Sequence, residues 1–281
     1  MKAKYIIILL AFVLVWGSCH KEQNSWFNYN DGIESSKTFV QNEQMMIDLM
    51  KTYFKSIGDS LLFATGKSKI DGADIYYIDT LTKKSILIKY PDWGKDDGYG
   101  HWRMYSYEAT TSTDFNAPDA LVTFKFNNFL YDKNPLNSKK LTIQNMGKPD
   151  GVNDQYHLVG EEVIRVLSDT AGTLVFDMDQ YFLRFKDPSS LYFSINDSFA
   201  IWGTLNGSTN QGLSYESSIE PDSVLINNYI CNFLKNGPAS VHTDSFKYNS
   251  RVFFPGEGTC VNQFTVVINN NFFLYPINTW N

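Results

Sequence analysis

The densest gathering of groups able to do chemistry lies in one loop, Pro91-Asp92-Trp93-Gly94-Lys95-Asp96-Asp97-Gly98-Tyr99-Gly100-His101-Trp102. Its three glycines keep it irregular, and irregular segments carry function when a rigid scaffold holds them. Trp93, Tyr99 and Trp102 offer flat apolar faces, while Asp92, Asp96, Asp97 and His101 offer hydrogen bonds. That pairing suits a sugar ring, which has an apolar face and a rim of hydroxyls. The same carboxylates are hard oxygen ligands of the kind calcium takes. Their spacing departs from the EF-hand loop and fixes no ligand set, so no metal is assigned. The alternative is a solvated turn whose tryptophans cap the edge of a sheet, and the sequence leaves both readings open.

Other polar groups carry less. Asp177 and Asp179 alternate along a strand and share a face, which reads more simply as a solvated sheet surface than as a metal or acid-base pair. His157 stands near Asp154 with no placed nucleophile. No Gly-x-Ser-x-Gly elbow, His-Glu-x-x-His helix, phosphate-binding glycine loop or Cys-x-x-Cys occurs, so no catalytic residue and no cofactor is assigned. Glycosidase carboxylates meet only in space and leave no local spacing. The formal charge is −6 and no basic run is present, which argues against nucleic acid as a partner.

The compartment is written at the start of the chain. Lys2 and Lys4 precede an apolar run from Tyr5 to Trp16, followed by Gly17-Ser18-Cys19. This run is too short to span a bilayer and has the form of a cleaved export signal. A cysteine after a small pair is where bacterial lipoprotein precursors are acylated, so residues 1–18 read as a lipoprotein signal peptide and Cys19 as the lipidated residue. Loss of Lys2 and Lys4 takes the formal charge from −6 to −8. Cys231 and Cys260 then remain, an even pair that in an oxidising compartment is most simply a disulfide. A loop of that length would stabilise the fold by about 3 kcal/mol or a little more.

The elements that must position these groups are mostly strands. Residues 19–36 mix Asn, Ser, Gly and charge and read as a tether. Thr38 and Gln41 have capping-box spacing, and Met46, Ile47, Met50, Tyr53, Phe54 and Ile57 recur at helical steps up to Gly58. This Met-rich stripe reads as core rather than as a partner-binding face. From Ala73 onward the period is two. Ile75 to Ile78 and Ser85 to Tyr90 form a hairpin about an Asp79-to-Lys84 turn. Further strands are expected at His101 to Glu108, Ala120 to Phe126, Lys140 to Gln144, Glu162 to Leu167, Thr173 to Met178, Tyr181 to Phe185, Leu191 to Ile195 and Phe199 to Thr204. Others follow at Val241 to Phe246, Arg251 to Phe254, Asn262 to Ile268 and Asn271 to Tyr275, with Val224 to Leu234 ambiguous. The expected class is mainly β and sandwich-like, with one N-terminal amphipathic helix. Ala73 to Gly94 and Ala239 to Gly258 share a strand-turn-strand-glycine pattern, which suggests two related β units, at 37–160 and 161–281.

Asp97-Gly98 with Arg103, Ile201-Trp202-Gly203, and Cys231 with Gly256-Glu257-Gly258-Thr259-Cys260 resemble motifs of uncharacterised Bacteroidota lipoproteins. Val261 stands where those relatives carry an acid. The resemblance implies a β-sandwich lipoprotein of the bacterial outer membrane, on the cell surface or its periplasmic face, and brings no activity. Asp79-Thr80-Leu81 is similar to the O-glycosylation sites of exported proteins in that group, with Thr80 the candidate. The expected function is a lipid-anchored envelope protein that binds a glycan or protein partner without catalysis. The alternatives are a structural subunit of an envelope assembly and a glycoside-acting enzyme.

Overall fold

The computed structural model describes residues 23–96, 100–169, 172–187, 196–244, 246–256 and 260–277. The signal segment, Cys19 and the expected strand at Leu191 to Ile195 lie outside the described residues. The chain opens with a long helix, α1 (Gln23–Ile57), and a short one, α2 (Ser60–Thr65). Strands follow as β1 (Lys67–Ile70), β2 (Ala73–Asp79), β3 (Lys84–Lys89), β4 (Lys95–Asp96), β5 (Trp102–Thr111), β6 (Leu121–Tyr131), β7 (Asn134–Asn145) and β8 (Asp154–Val166). The second half adds β9 (Thr173–Phe185), β10 (Ser198–Ser208), β11 (Ser214–Ile219), β12 (Leu225–Asn228), β13 (Pro238–Thr243), β14 (Ser250–Phe253), β15 (Phe264–Ile268) and β16 (Asn271–Tyr275). The mainly β class with an N-terminal helix is therefore the observed one. Among the described residues no helix is long and apolar enough to cross a membrane.

All these strands join one open antiparallel sheet whose order follows the chain, with β1 and β16 at its ends; β4 pairs beside β5 and β12 beside β10. Instead of two facing sheets, one sheet is folded about α1. Arg103 of β5 bonds Thr52, Tyr131 of β6 bonds Asp48, Gln180 of β9 bonds Glu43, and Tyr215 of β11 accepts from Asn42. A straight helix reaches strands so far apart in the sheet order only if the sheet curls around it. Bulges supply curvature: register shifts at Ser106/Tyr107 and between Gly160 and Val163, where Tyr105 and Glu162 take positive φ. Position 160 falls inside β8, so the boundary expected between two β units lies within a paired strand.

The helix begins earlier than its sequence suggests. Residues 23–36, read as a tether, are helical, and Thr38, read as a cap, is a buried interior position. Small residues explain this. A Cβ on Gly32 would lie 2.7 Å from the Phe246 ring, so only glycine lets α1 approach so closely. Ser36 Oγ donates to the Gly32 carbonyl at 2.7 Å, and Ser35 is buried as well. Met46, Ile47, Met50, Tyr53, Phe54 and Ile57 are all core, as their spacing predicts, and Met45 joins them.

Other expectations hold with shifted boundaries. The β2–β3 hairpin runs from Asp74↔Lys89 to Asp79↔Lys84, and its exposed turn carries Thr80, whose Oγ1 donates to the Lys83 carbonyl at 2.7 Å. The two strands expected at Thr173 to Met178 and Tyr181 to Phe185 are one strand, β9. Of Val224 to Leu234 only β12 is strand, and β1, β4, β11 and α2 are additions to the sequence reading. Cys231 and Cys260 form a disulfide with a Cα–Cα distance of 5.4 Å. It ties the segment after β12 to the start of β15, next to the point where Lys51 of α1 donates to the Cys231 carbonyl at 2.6 Å.

Asp59 separates the helices. Its Oδ1 accepts from the Leu61 amide at 2.9 Å, capping α2. Asp59→Ala is expected to cost about 1 kcal/mol, read as a lowered urea midpoint; an unchanged midpoint would remove the cap from the account of stability.

Candidate functional site

From Gly32 to Ser56 every residue of α1 is buried except Glu34, Lys37, Gln41 and Lys55. The first three lie three and four residues apart and so form one stripe. That stripe is one wall of a cleft of about 550 Å³. The facing walls come from Asp96 of β4 with Gly100 and Trp102, from the β6–β7 turn at Asp132 to Asn134, and from Arg165 of β8; Asp169 and Asn210 close the rim. The cleft is thus where α1 is left uncovered at one end of the strands, on the side of the β6–β7 turn.

The sequence-predicted loop reaches this place in part. Asp96 and Trp102 line the cleft, and Trp102 is 41% exposed. Its indole lies over Gly94, where an added Cβ would meet Nε1 at 1.7 Å and φ is +86°, so any side chain there would displace the ring. Trp93, 80% exposed, and Asp92 stand in the same turn but outside the cleft lining. Asp97 and Tyr99 lie outside the described residues.

His101 needs correcting as a ligand contact, because it has no exposed surface. Its Nδ1 is 2.8 Å from Asp132 Oδ2, and its Nε2 is 3.4 Å from Asp48 Oδ2 on α1. The Nδ1 contact is of hydrogen-bond length, and the Nε2 contact is longer. Tyr131 stacks on the ring at 4.8 Å and donates its hydroxyl to Asp48 at 2.7 Å. Gln44 Nε2 also donates to Asp48 Oδ1, at 2.9 Å. Asp132, which lines the cleft, also accepts from the Trp102 amide at 2.8 Å. His101 therefore fixes the wall that carries Trp102 and Asp132.

Charges in the cleft are mixed. Lys37 pairs with Glu34 at 2.9 Å and lies 4.6 Å from the centre of the Tyr275 ring. Arg165 is fully buried, and burial pushes its guanidinium down to about 10, against the opposing pull of Tyr131 and Asp132. Arg103 is buried between the Tyr90 and Tyr131 rings, 5.6 Å from each, and donates to Tyr90 Oη at 3.0 Å and Thr52 Oγ1 at 3.2 Å. It serves the interior, not the cleft.

The remaining polar candidates are on the outer sheet face. Asp177 accepts from the Glu162 amide at 2.7 Å and so caps the β8 bulge. Asp179 is 2.6 Å from His157, whose ring stacks on Tyr181 at 4.4 Å, with Trp202 next at 5.5 Å. Among the described residues no group of three or more His, Cys, Asp or Glu could hold a metal ion. Glu34, Lys37, Asp132 and Arg165 were invisible to sequence reasoning, since nothing local marks residues that converge from a helix, a turn and a strand. No family model, curated protein or solved structure matches the chain.

Proposed function

We propose that the chain is a lipid-anchored protein of the bacterial cell envelope that binds a glycan, without transforming it, in the cleft between α1 and the sheet. The observation that carries the reading is the partly exposed Trp102 ring on one side of a 550 Å³ cleft whose other lining side chains are polar apart from Leu167 and Leu174. An aromatic face takes the apolar side of a sugar ring while carboxylates and amides take its hydroxyls. The rigid interior behind Trp102 favours a preformed site, which lowers the ordering cost of binding. Anchorage is supported by the export signal and Cys19. The helical start at Gln23 leaves three residues between Cys19 and the fold.

The test is titration of the purified protein with a panel of neutral and acidic oligosaccharides, followed by tryptophan fluorescence. Trp102→Ala is expected to weaken binding about tenfold, the scale of one aromatic contact, and Trp93→Ala to leave it unchanged. Absence of binding across the panel, or equal loss in both variants, removes the cleft as a glycan site.

A further inference from the structure

We infer that the outer face of the β15–β16 hairpin docks on the lipid surface beside the N-terminal anchor, an inference that rests on the lipid-anchor reading above. Phe272 and Leu274 stand two apart on β16 and so share a face, 74% and 63% exposed. The register sets Phe272 beside Val267 and Leu274 beside Thr265 on that same outer face. Soluble proteins blunt an edge strand with charge or cover it. At the other end of the sheet β1 carries Lys67 and Lys69 and is packed by α2. β16 carries no charge at all.

The surroundings of this apolar pair have the sign a lipid headgroup layer selects. Residues 246–277 hold Lys247 and Arg251 and a single acid, Glu257, in a chain of net charge −6. Arg251 faces Val267 across the β14–β15 pairing and lies 5.1 Å from the centre of the Phe253 ring. Exposed apolar side chains rimmed by cations suit the boundary between acyl chains and anionic headgroups.

Position supplies the third argument. The start of α1 rests on this hairpin: Tyr29 lies 5.9 Å from the Phe273 ring, and Asn271 Nδ2 donates to its hydroxyl at 3.2 Å. Cys19 stands four residues before Gln23, a stretch that reaches at most about 14 Å. An acyl chain on Cys19 would therefore hold β16 close to the bilayer. Pairing of β16 with a second copy would add a five-residue strand contact, well short of the roughly 1,200 Å² of a stable interface.

The experiment uses the full lipidated chain in phosphatidylethanolamine/phosphatidylglycerol vesicles. With Cys231 and Cys260 bonded and Cys19 acylated, Phe272→Cys provides one free thiol for a nitroxide; Leu81→Cys, in the exposed β2–β3 turn, is the control. The label at 272 is expected to gain collisions with oxygen and lose those with a water-soluble nickel chelate, while the label at 81 stays open to nickel. Nickel access at both positions with Cys19 acylated, shown by mass, overturns docking and leaves the anchor standing. An unacylated Cys19 overturns both. Spin–spin broadening at 272 in detergent would assign the face to a second copy and also overturn it.

Discussion

Phe54→Ala is expected to destabilise the protein by about 3–5 kcal/mol. The side chain is fully buried in the last turns of α1. Its ring stacks on Phe199 of β10 at 5.0 Å and lies 4.7 Å from Tyr156 of β8 and 6.3 Å from Phe182 of β9. Its neighbour Tyr53 turns to the opposite part of the sheet, meeting Phe115 at 6.4 Å and Phe124 of β6 at 5.2 Å. One ring therefore holds the helix against three consecutive strands, and the cavity left by alanine is walled by rigid aromatics that collapse poorly. Because α1 also bonds strands on both sides of position 160, the loss is expected to lower one cooperative transition. Urea unfolding followed by far-ultraviolet circular dichroism and by tyrosine fluorescence checks this. A variant that shifts one of two separated transitions would support the division into β units at 37–160 and 161–281.

The same central helix explains what the sequence could and could not disclose. Strands with one face on the core alternate cleanly, so the β2–β3 hairpin, β15 and β16 are legible nearly to the residue. Alternation fails where the buried partner is itself polar. Asp179-Gln180 looks like a break between strands, yet Asp179 points outward and Gln180 inward, where it donates to Glu43 at 2.6 Å. The start of α1 looks like a linker because Gly32, Ser35 and Ser36 are small and polar. Those residues are there for close approach to β14 and Phe246, a tertiary demand with no local signature. The loop at Pro91 to Trp102 announced itself by composition, and it did bring Asp96 and Trp102 to the cleft. The role of His101 stayed hidden because its second carboxylate, Asp48, belongs to a helix far back in the chain.

That polar interior gives the molecule a pH dependence between 4.5 and about 7 that Glu43→Gln should abolish. Glu43 is fully buried; Gln180 donates to its Oε2, and its Oε1 has no hydrogen-bond partner among the described residues. Burial raises its carboxyl from 4.5 to about 7, with the Gln180 bond opposing. A folded-state value above the unfolded one means the native chain holds a proton that the unfolded chain releases between those two pH values, so stability falls as pH rises from 4.5 to about 7 and then levels. The difference corresponds to roughly 3 kcal/mol. Lys51 has the opposite slope: burial lowers its ammonium from 10.5 to about 8, partly offset by Asp48. Its charge costs stability in full below about 8, and the cost fades as pH rises toward 10.5. Together the two groups place a minimum of stability between about 7 and 8. Glutamine keeps the shape of Glu43 and never ionises, so the variant should match the native chain near pH 4.5 and exceed it by up to roughly 3 kcal/mol above pH 7. Urea midpoints across that range decide it. A constant offset between the two chains would mean Glu43 titrates alike folded and unfolded, and a variant that is weaker above pH 7 would mean the ionised carboxylate is held by a partner that glutamine cannot replace.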